Sequence, residues 1–401
     1  MTPDPSVVRG GGAVSRSPSA VVLALAAAVA LAGCSAPAPT PTATATHTAR
    51  PTPRPTATSP AVAAIPWQPS GETTVLETGL DAPWSVVPLP SGSALISLRD
   101  DGRVLERLPQ GGTREAGTVP GVEHTGEGGL LGLAVQPVAS PPYLYAYETT
   151  ADDNRVVRMR LTGVPGSYAL GAPEPVLAGI PRASNHDGGR IAFGPDGMLY
   201  ITAGDASERS NAQDLESLGG KILRVTPEGK IPAGNPFPRS PVWSYGHRNP
   251  QGIGWDSHGT MWASEFGQDT WDELNIIEPG ANYGWPEVEG VANDPAYRDP
   301  VAQWPTDEAS PSGLAVVGDT IFLAALRGQR LWTAWSTGGA APVTVRPFFV
   351  DEFGRLRDVV GRGDRLWLLT NNTDGRGDPR DGDDRLIEAP LVPAQDTRSP
   401  G

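Results

Sequence analysis

The feature that most restricts the fold of this chain is a hairpin pattern that recurs six times between Pro66 and Leu391. A short apolar strand leads into a turn rich in Pro, Asp and Gly, and a second strand returns with an aromatic or large aliphatic residue. The third copy is the clearest. Arg190 to Phe193 runs into Gly194, Pro195, Asp196 and Gly197, and Met198 to Thr202 returns. Comparable hairpins start near Trp84, Leu131, Ile253, Leu314 and Val359. Their spacing, roughly 45 to 62 residues, is that of one four-stranded sheet with its loops. Helical periodicity is almost absent. A repeat that cannot bury both faces alone must stack on its neighbours, and six such sheets can close radially around a channel. The expected fold is therefore all-β: a six-bladed β-propeller of four-stranded antiparallel blades over residues 65–391. Pairing of Thr73–Glu77 with Arg385–Ala389 is expected to close the ring.

The two ends read differently. In residues 1–34, Arg9 and Arg16 precede an apolar run from Ala20 to Ala32, and Leu31-Ala32-Gly33-Cys34 follows. That order is a secretion signal, and its last four residues resemble the lipobox of bacterial lipoproteins, in which the cysteine is acylated. Cys34 is the chain's single cysteine, so no internal disulfide can form. Residues 35–64 are Pro, Thr and Ala with few large apolar side chains, too few to offset the entropy of ordering, and read as an extended tether. Residues 392–401 read as a disordered tail. The expected location is outside the cell, anchored to the outer face of the membrane through lipid on Cys34, since no later stretch is long and apolar enough to span a bilayer. The formal charge is −14, and the first 33 residues carry one net positive charge, so the remainder is more acidic still. An acidic surface argues against nucleic acid as a partner.

In a propeller, function collects on loops at one end of the channel, so polar clusters beside the apolar strands are the candidates. Asn185-His186-Asp187-Gly188-Gly189-Arg190 precedes the third hairpin and Gly204-Asp205 follows it. Asp205 can fix the His186 tautomer and leave the other ring nitrogen as a general base, although a lone histidine is more commonly a structural hydrogen-bonding group. Gly246-His247-Arg248-Asn249-Pro250-Gln251-Gly252 precedes the fourth hairpin and offers several donors to an oxygen-rich anion. Glu265-Phe266-Gly267-Gln268-Asp269, Asp272-Glu273 and Asn282-Tyr283-Gly284-Trp285-Pro286 together suit a hard cation through carboxylates and backbone carbonyls, or else form an acidic solvated loop. Arg327 and Arg330 follow the fifth hairpin, and Arg355 and Arg357 share one side of the segment before the sixth. Such a surplus of arginine in an acidic protein suits an anion with several carboxylates.

With Gly126–Pro137, Asn185–Arg190, Gly246–Gly252 and Asn282–Pro286, the chain resembles the soluble quinoprotein glucose dehydrogenases and, more closely, the aldose sugar dehydrogenases of the glucose/sorbosone dehydrogenase family. The resemblance implies a cofactor, pyrroloquinoline quinone (PQQ), held with Ca2+, and oxidation of aldoses at C1 to lactones with electrons leaving to an external quinone or cytochrome. It makes His186 the base that takes the C1 hydroxyl proton as hydride passes to the quinone, and Asp205 its orienting partner. Arg248 and Asn249 would contact the quinone oxygens, and Arg327, Arg355 and Arg357 its carboxylates. The carbonyls of Gly267 and Gln268 would bind calcium, and Glu273 and Tyr283 a second one. Glu127 would meet the substrate where relatives carry glutamine, and Asn185 stands where they carry aspartate, which leaves the preferred sugar open. Trp304 is a further candidate for stacking on the cofactor. Two other readings stand beside this one: a calcium-dependent propeller hydrolase of lactonase type, and a sugar-binding propeller without catalysis.

Overall fold

A computed structural model describes residues 65–136, 142–336 and 343–394. The expected signal, tether and Cys34 lie outside these residues, as does the chain beyond 394. The described strands form six antiparallel sheets. Their first strands are Pro83–Pro88, Leu130–Val135, Ile191–Phe193, Pro250–Trp255, Pro311–Val317 and Leu356–Arg362. Each first strand neighbours the next, and the sixth neighbours the first, so the ring closes around an axis lined by these strands. This is the six-bladed propeller expected from the repeat. Among the described residues the one short helical segment, a 3-10 turn at Arg209–Ala212, sits in a loop of blade three.

The reason for the ring lies in where the apolar residues go. Six clusters of buried side chains occur, and each spans the seam between two neighbouring blades. Tyr145 and Tyr147 of blade two meet Leu199 and Ile201 of blade three; Trp367 and Leu369 of blade six meet Val86 and Ile96 of blade one. Strands buried on both faces read as nearly continuous apolar runs, as in Leu-Tyr-Ala-Tyr at 144–147 and Ile-Phe-Leu-Ala-Ala at 321–325.

Closure mixes the chain ends in one sheet. Thr74–Glu77 pairs with the last strand, Thr74 opposite Glu388 and Val75 opposite Ile387, as the sequence suggested. A further strand, Trp67–Pro69, pairs with Leu391–Pro393. The last strand therefore runs to Pro393, two residues past the boundary expected for the tail, because Trp67 supplies a partner there and its indole covers the seam of blades five and six. A chain starting at residue 65 should melt cooperatively, whereas one starting at residue 79, with both closing strands removed, should melt at least about 10 °C lower or fail to fold, read by circular dichroism. Equal melting temperatures would show that these strands do not hold the ring.

Candidate active site

Residues just before the first strands and just after the second strands gather at one end of the ring and enclose a cleft of about 500 Å³. Glu127 comes from before blade two, His186 from before blade three, Arg248 and Gln251 from the start of blade four, and Arg355 and Arg357 from the start of blade six. Phe266, Gly267, Gln268, Arg327 and Arg376 come from after second strands.

His186 is buried, and its Nδ1 lies 2.7 Å from Asp205 Oδ1. Asp205 is fully buried; its Oδ1 also accepts the Ser207 N–H at 2.8 Å and its Oδ2 the Trp285 indole N–H at 2.8 Å. Burial alone would raise this carboxyl, but the bonds from His186, Trp285 and Ser207 outweigh it and hold Asp205 below the usual carboxylate range. An ionised acceptor on Nδ1 keeps a proton there and leaves Nε2 as the basic atom beside the cleft. The His186 backbone has a φ of 64°, uncommon for a residue with a side chain. Gly204 makes that turn possible, since a Cβ there would stand 2.0 Å from the His186 carbonyl oxygen. The His186 N–H donates to Glu127 Oε2 at 3.0 Å. Gly126, with a φ of +62°, brings Glu127 in; a Cβ on it would sit 1.9 Å from the Ser184 carbonyl oxygen.

Five arginines line the cleft: Arg248, Arg327, Arg355, Arg357 and Arg376. Like charges this close need internal compensation. Asp374, whose side chain is fully buried, supplies it, standing 3.2 Å from Arg355, 3.7 Å from Arg357, 3.3 Å from Arg376 and 3.8 Å from Arg99. Burial acts to raise Asp374, and Arg357, Arg355 and Arg376 overcome it and hold it low. Arg357 donates to Gln251 Oε1 at 2.9 Å and to Asn371 Oδ1 at 3.2 Å, while its Nε is buried without a partner. Burial pushes Arg357 well below the ordinary guanidinium range. Below it, Arg190 bridges to Asp358 at 3.1 Å and lies 4.3 Å over the Trp84 ring, tying blades one, three and six at the axis. Arg327 is exposed, with no ion pair among the described residues. Arg248 donates to Gln268 Oε1 at 3.0 Å and lies 5.6 Å over the Trp285 ring.

The loop 267–271 is wrapped around an acid. Glu289 Oε1 accepts the backbone N–H groups of Gln268, Asp269, Thr270 and Trp271 at 2.7 to 3.2 Å. Burial would raise Glu289; those bonds win and lower it. Gly267 N–H donates to Asp272 Oδ1 at 2.9 Å. With their N–H groups so held, the carbonyls of Gly267 and Gln268 accept no hydrogen bond among the described residues. Behind them, Glu265 and Glu273 face each other across two paired strands. Burial, and then the Glu265 carboxylate, push Glu273 well up.

Most of the expected residues thus converge on the cleft; Asp205 stands behind His186, Glu273 and Tyr283 border a smaller pocket next to the cleft, and Asn249 and Trp304 do not line it either. Asn249 is fully buried behind the wall, its Oδ1 taking the Gly188 N–H at 3.0 Å and its Nδ2 donating to Glu127 at 3.2 Å, so it positions the wall where direct contact with the quinone oxygens was expected. The Tyr283 hydroxyl donates to the Ile276 carbonyl at 2.6 Å and accepts the Glu278 N–H, which leaves it only a backbone carbonyl to offer a cation. Trp304 is buried in the outermost strand of blade four, 5.4 Å from Trp332, too far out to stack on anything at the axis. His247 is structural, bonded to Ser244 and Glu265 and stacked on Tyr283 at 4.6 Å. Sequence reasoning missed Asp374, Arg376, Trp84 and Glu289. The first two follow the second strand of blade six, the place equivalent to Asp205 in blade three, so the repeat itself carried that signal.

The fold is a six-bladed propeller with an arginine-lined cleft, and comparison with known proteins makes it an oxidoreductase. The chain belongs to the glucose/sorbosone dehydrogenase family, whose profile matches residues 80–379. It is similar to the aldose sugar dehydrogenase YliI of Escherichia coli, 30% identical over 342 residues that cover 75% of this chain and 90% of that protein. It is also similar to quinoprotein glucose dehydrogenase B of Acinetobacter calcoaceticus, 30% identical over 56% of this chain and 54% of that protein. Among solved structures, the PQQ-bound aldose sugar dehydrogenase of Streptomyces coelicolor superposes with a TM-score of 0.77 and 51% identity, covering 81% of this chain and 100% of that one.

Asp374→Asn should destabilise the protein by about 3 kcal/mol at neutral pH, because it leaves buried guanidinium groups unpaired. A carboxyl held below its unfolded value stabilises the fold above that unfolded value, near pH 4, and loses the contribution as pH falls through its own lower one. The gap between variant and wild type in urea unfolding should therefore stay level from pH 8 to about pH 5 and close only below about pH 4. A gap that does not depend on pH would assign Asp374 a packing role.

Proposed function

We propose that this protein oxidises aldose sugars at C1 to lactones, using PQQ held with calcium in the cleft and His186 as general base. The observation that carries the reading is the His186–Asp205 pair presenting Nε2 to a cleft ringed by arginines. The PQQ-bound relative, half identical in sequence, supports the choice of quinone.

The residues fit both groups. A planar quinone with several carboxylates calls for guanidinium donors, and Arg327, free of ion pairs among the described residues, offers them at the cleft, with Arg357 on the same wall. Arg355 and Arg248 are placed to share that task. The free carbonyls of Gly267 and Gln268 suit calcium, which takes oxygen ligands. Glu273 and the Tyr283 carbonyl would serve a second ion, which would relieve the repulsion between Glu273 and Glu265. When bound, the quinone accepts the hydride leaving C1, and calcium polarises it. His186 takes the C1 hydroxyl proton on Nε2. Asp205 stabilises the imidazolium that results and holds the ring in the right tautomer. Trp285 and Ser207 keep Asp205 in place, and Glu127 borders the space left for the sugar.

The proposal also places the protein outside the cell, acylated on Cys34 and tethered through residues 35–64, passing electrons to an external quinone or cytochrome. A hydrolase would need side-chain ligands converging on one ion, and no group of three or more His, Cys, Asp or Glu side chains is so placed among the described residues.

Dye-linked oxidation of an aldose panel by the protein lacking residues 1–64 tests the reading. Activity should require both PQQ and Ca2+. His186→Ala should lower kcat by about 10² or more while the quinone still binds, followed by its absorbance. Full activity in that variant, or activity without the quinone, would overturn the assignment. Asp205→Asn should lower kcat by at least about tenfold with KM little changed, since it disturbs the tautomer and leaves the pocket intact.

A further inference from the structure

Arg376 stands on the loop between strands Arg365–Thr370 and Leu386–Pro393 of blade six. That loop is built firmly. Buried Asp384 accepts bonds from Thr370 Oγ1 at 2.9 Å and Thr373 Oγ1 at 2.7 Å, and Asp374 Oδ1 takes the Arg376 N–H at 3.0 Å. The guanidinium is directed across the cleft mouth, with Nε 3.3 Å from Asp374 and Nη1 3.5 Å from Glu127 Oε1. Its side chain is 41% exposed and that of Glu127 18%, so the pair faces the cleft, and both residues line it.

Glu127 is anchored from the other side. Its Oε2 takes the His186 backbone N–H at 3.0 Å and the Asn249 amide at 3.2 Å. One carboxylate is therefore fixed beside the base by one oxygen, while its second oxygen faces Arg376. A group bonded to the backbone of His186 borders the substituents next to C1, the carbon whose hydroxyl proton His186 takes. Alone, this carboxylate would accept hydroxyl hydrogens and would also attract any cation at that position. Arg376 cancels the attraction and leaves the acceptor.

We propose that Arg376 is a specificity-determining residue: paired with Glu127, it neutralises the subsite beside C1, so that aldoses with an uncharged C2 substituent are favoured over cationic 2-amino-2-deoxy aldoses. The inference rests on the sugar-oxidation reading above. It goes beyond that reading by assigning the preference to a charge pair that spans blades two and six.

The test uses the PQQ- and calcium-loaded enzyme with D-glucose, D-glucosamine and N-acetyl-D-glucosamine at about pH 6, where the amine is charged. The quantity read is the ratio of kcat/KM between sugars within each variant, so a general loss of activity cancels. Arg376→Ala should raise the glucosamine-to-glucose ratio by about threefold to fivefold at low salt, the scale of a partly exposed ion pair. The rise should shrink in 0.5 M salt, roughly where screening acts over a few ångströms. The N-acetylglucosamine ratio should not move, because that sugar has the bulk without the charge. Adding Glu127→Gln to Arg376→Ala should return the glucosamine ratio to the wild-type value. Glucosamine binding, followed by tryptophan fluorescence, should tighten in Arg376→Ala by a similar factor. If both amino-sugar ratios rise together, Arg376 acts by shape and the proposal falls. If neither ratio moves, the pair does not touch the C2 region and the proposal falls equally. A wild-type enzyme that oxidises none of the sugars, with quinone bound, would instead sink the reading on which this one rests.

Discussion

Everything in this molecule depends on the burial of apolar surface between blades. No sheet here has a core of its own; each of the six apolar clusters needs two neighbours. A linear stack would leave two apolar faces exposed at its ends, and a ring leaves none. Closure therefore has to be secured, and the chain secures it by placing its first and last strands in the same sheet. The price of that solution is long-range pairing, Thr74 with Glu388 and Trp67 with Pro393, which must be ordered late against chain entropy.

The ring forces the first strands of all blades together at the axis, and this sets the chemistry of the cleft. Residues that lead into those strands have no choice but to converge. Arginines so gathered repel one another, and the structure answers with buried Asp374 among Arg355, Arg357 and Arg376, with buried Asp358 on Arg190, and with the Trp84 ring under Arg190 and Arg357. Glu127 pairs with Arg376 and Asp100 with Arg99, yet Arg248 and Arg327 line the cleft with no ion pair among the described residues. The cleft is left with a positive excess held in rigid side chains, which is the condition for binding a polycarboxylate without reorganisation at the moment of binding.

The blades, the closing pairing and the convergence of His186 with Asp205 were legible because each depends on local pattern: strand, turn, and the position just outside a strand. Asn249 stands behind the cleft wall and Trp304 in the outermost strand of its blade. A polar or aromatic residue beside a strand can face the axis or the seam, and the register and bulges that decide between them arise from pairing with a neighbour. In blade four the pairing shifts between Pro250 and Gly252, just after Asn249, and no spacing rule anticipates that shift. Glu289 was invisible for a different reason. It acts through one oxygen on four backbone N–H groups about twenty residues away, an arrangement with no sequence period. Asp374 and Arg376 could have been found by asking what each blade places where blade three places Asp205.

The cleft also shows how a histidine can be fixed by groups that leave one ring nitrogen unused. His186 is held at four points, none of which is Nε2: its ring by Asp205, its N–H by Glu127, its carbonyl by the approach of Gly204, and its uncommon φ by all three. The supports arrive from two loops, Glu127 from before blade two and Gly204 with Asp205 from blade three itself, so displacement of one is opposed by the other. Glu127 belongs at once to this scaffold and to the lining of the cleft, where the proposed reaction would place the sugar. The position of the base and the charge felt by the substrate therefore pass through the same side chain. A change that alters sugar preference at Glu127 would also move His186, whereas a change at Arg376 alters the charge and leaves the base where it is.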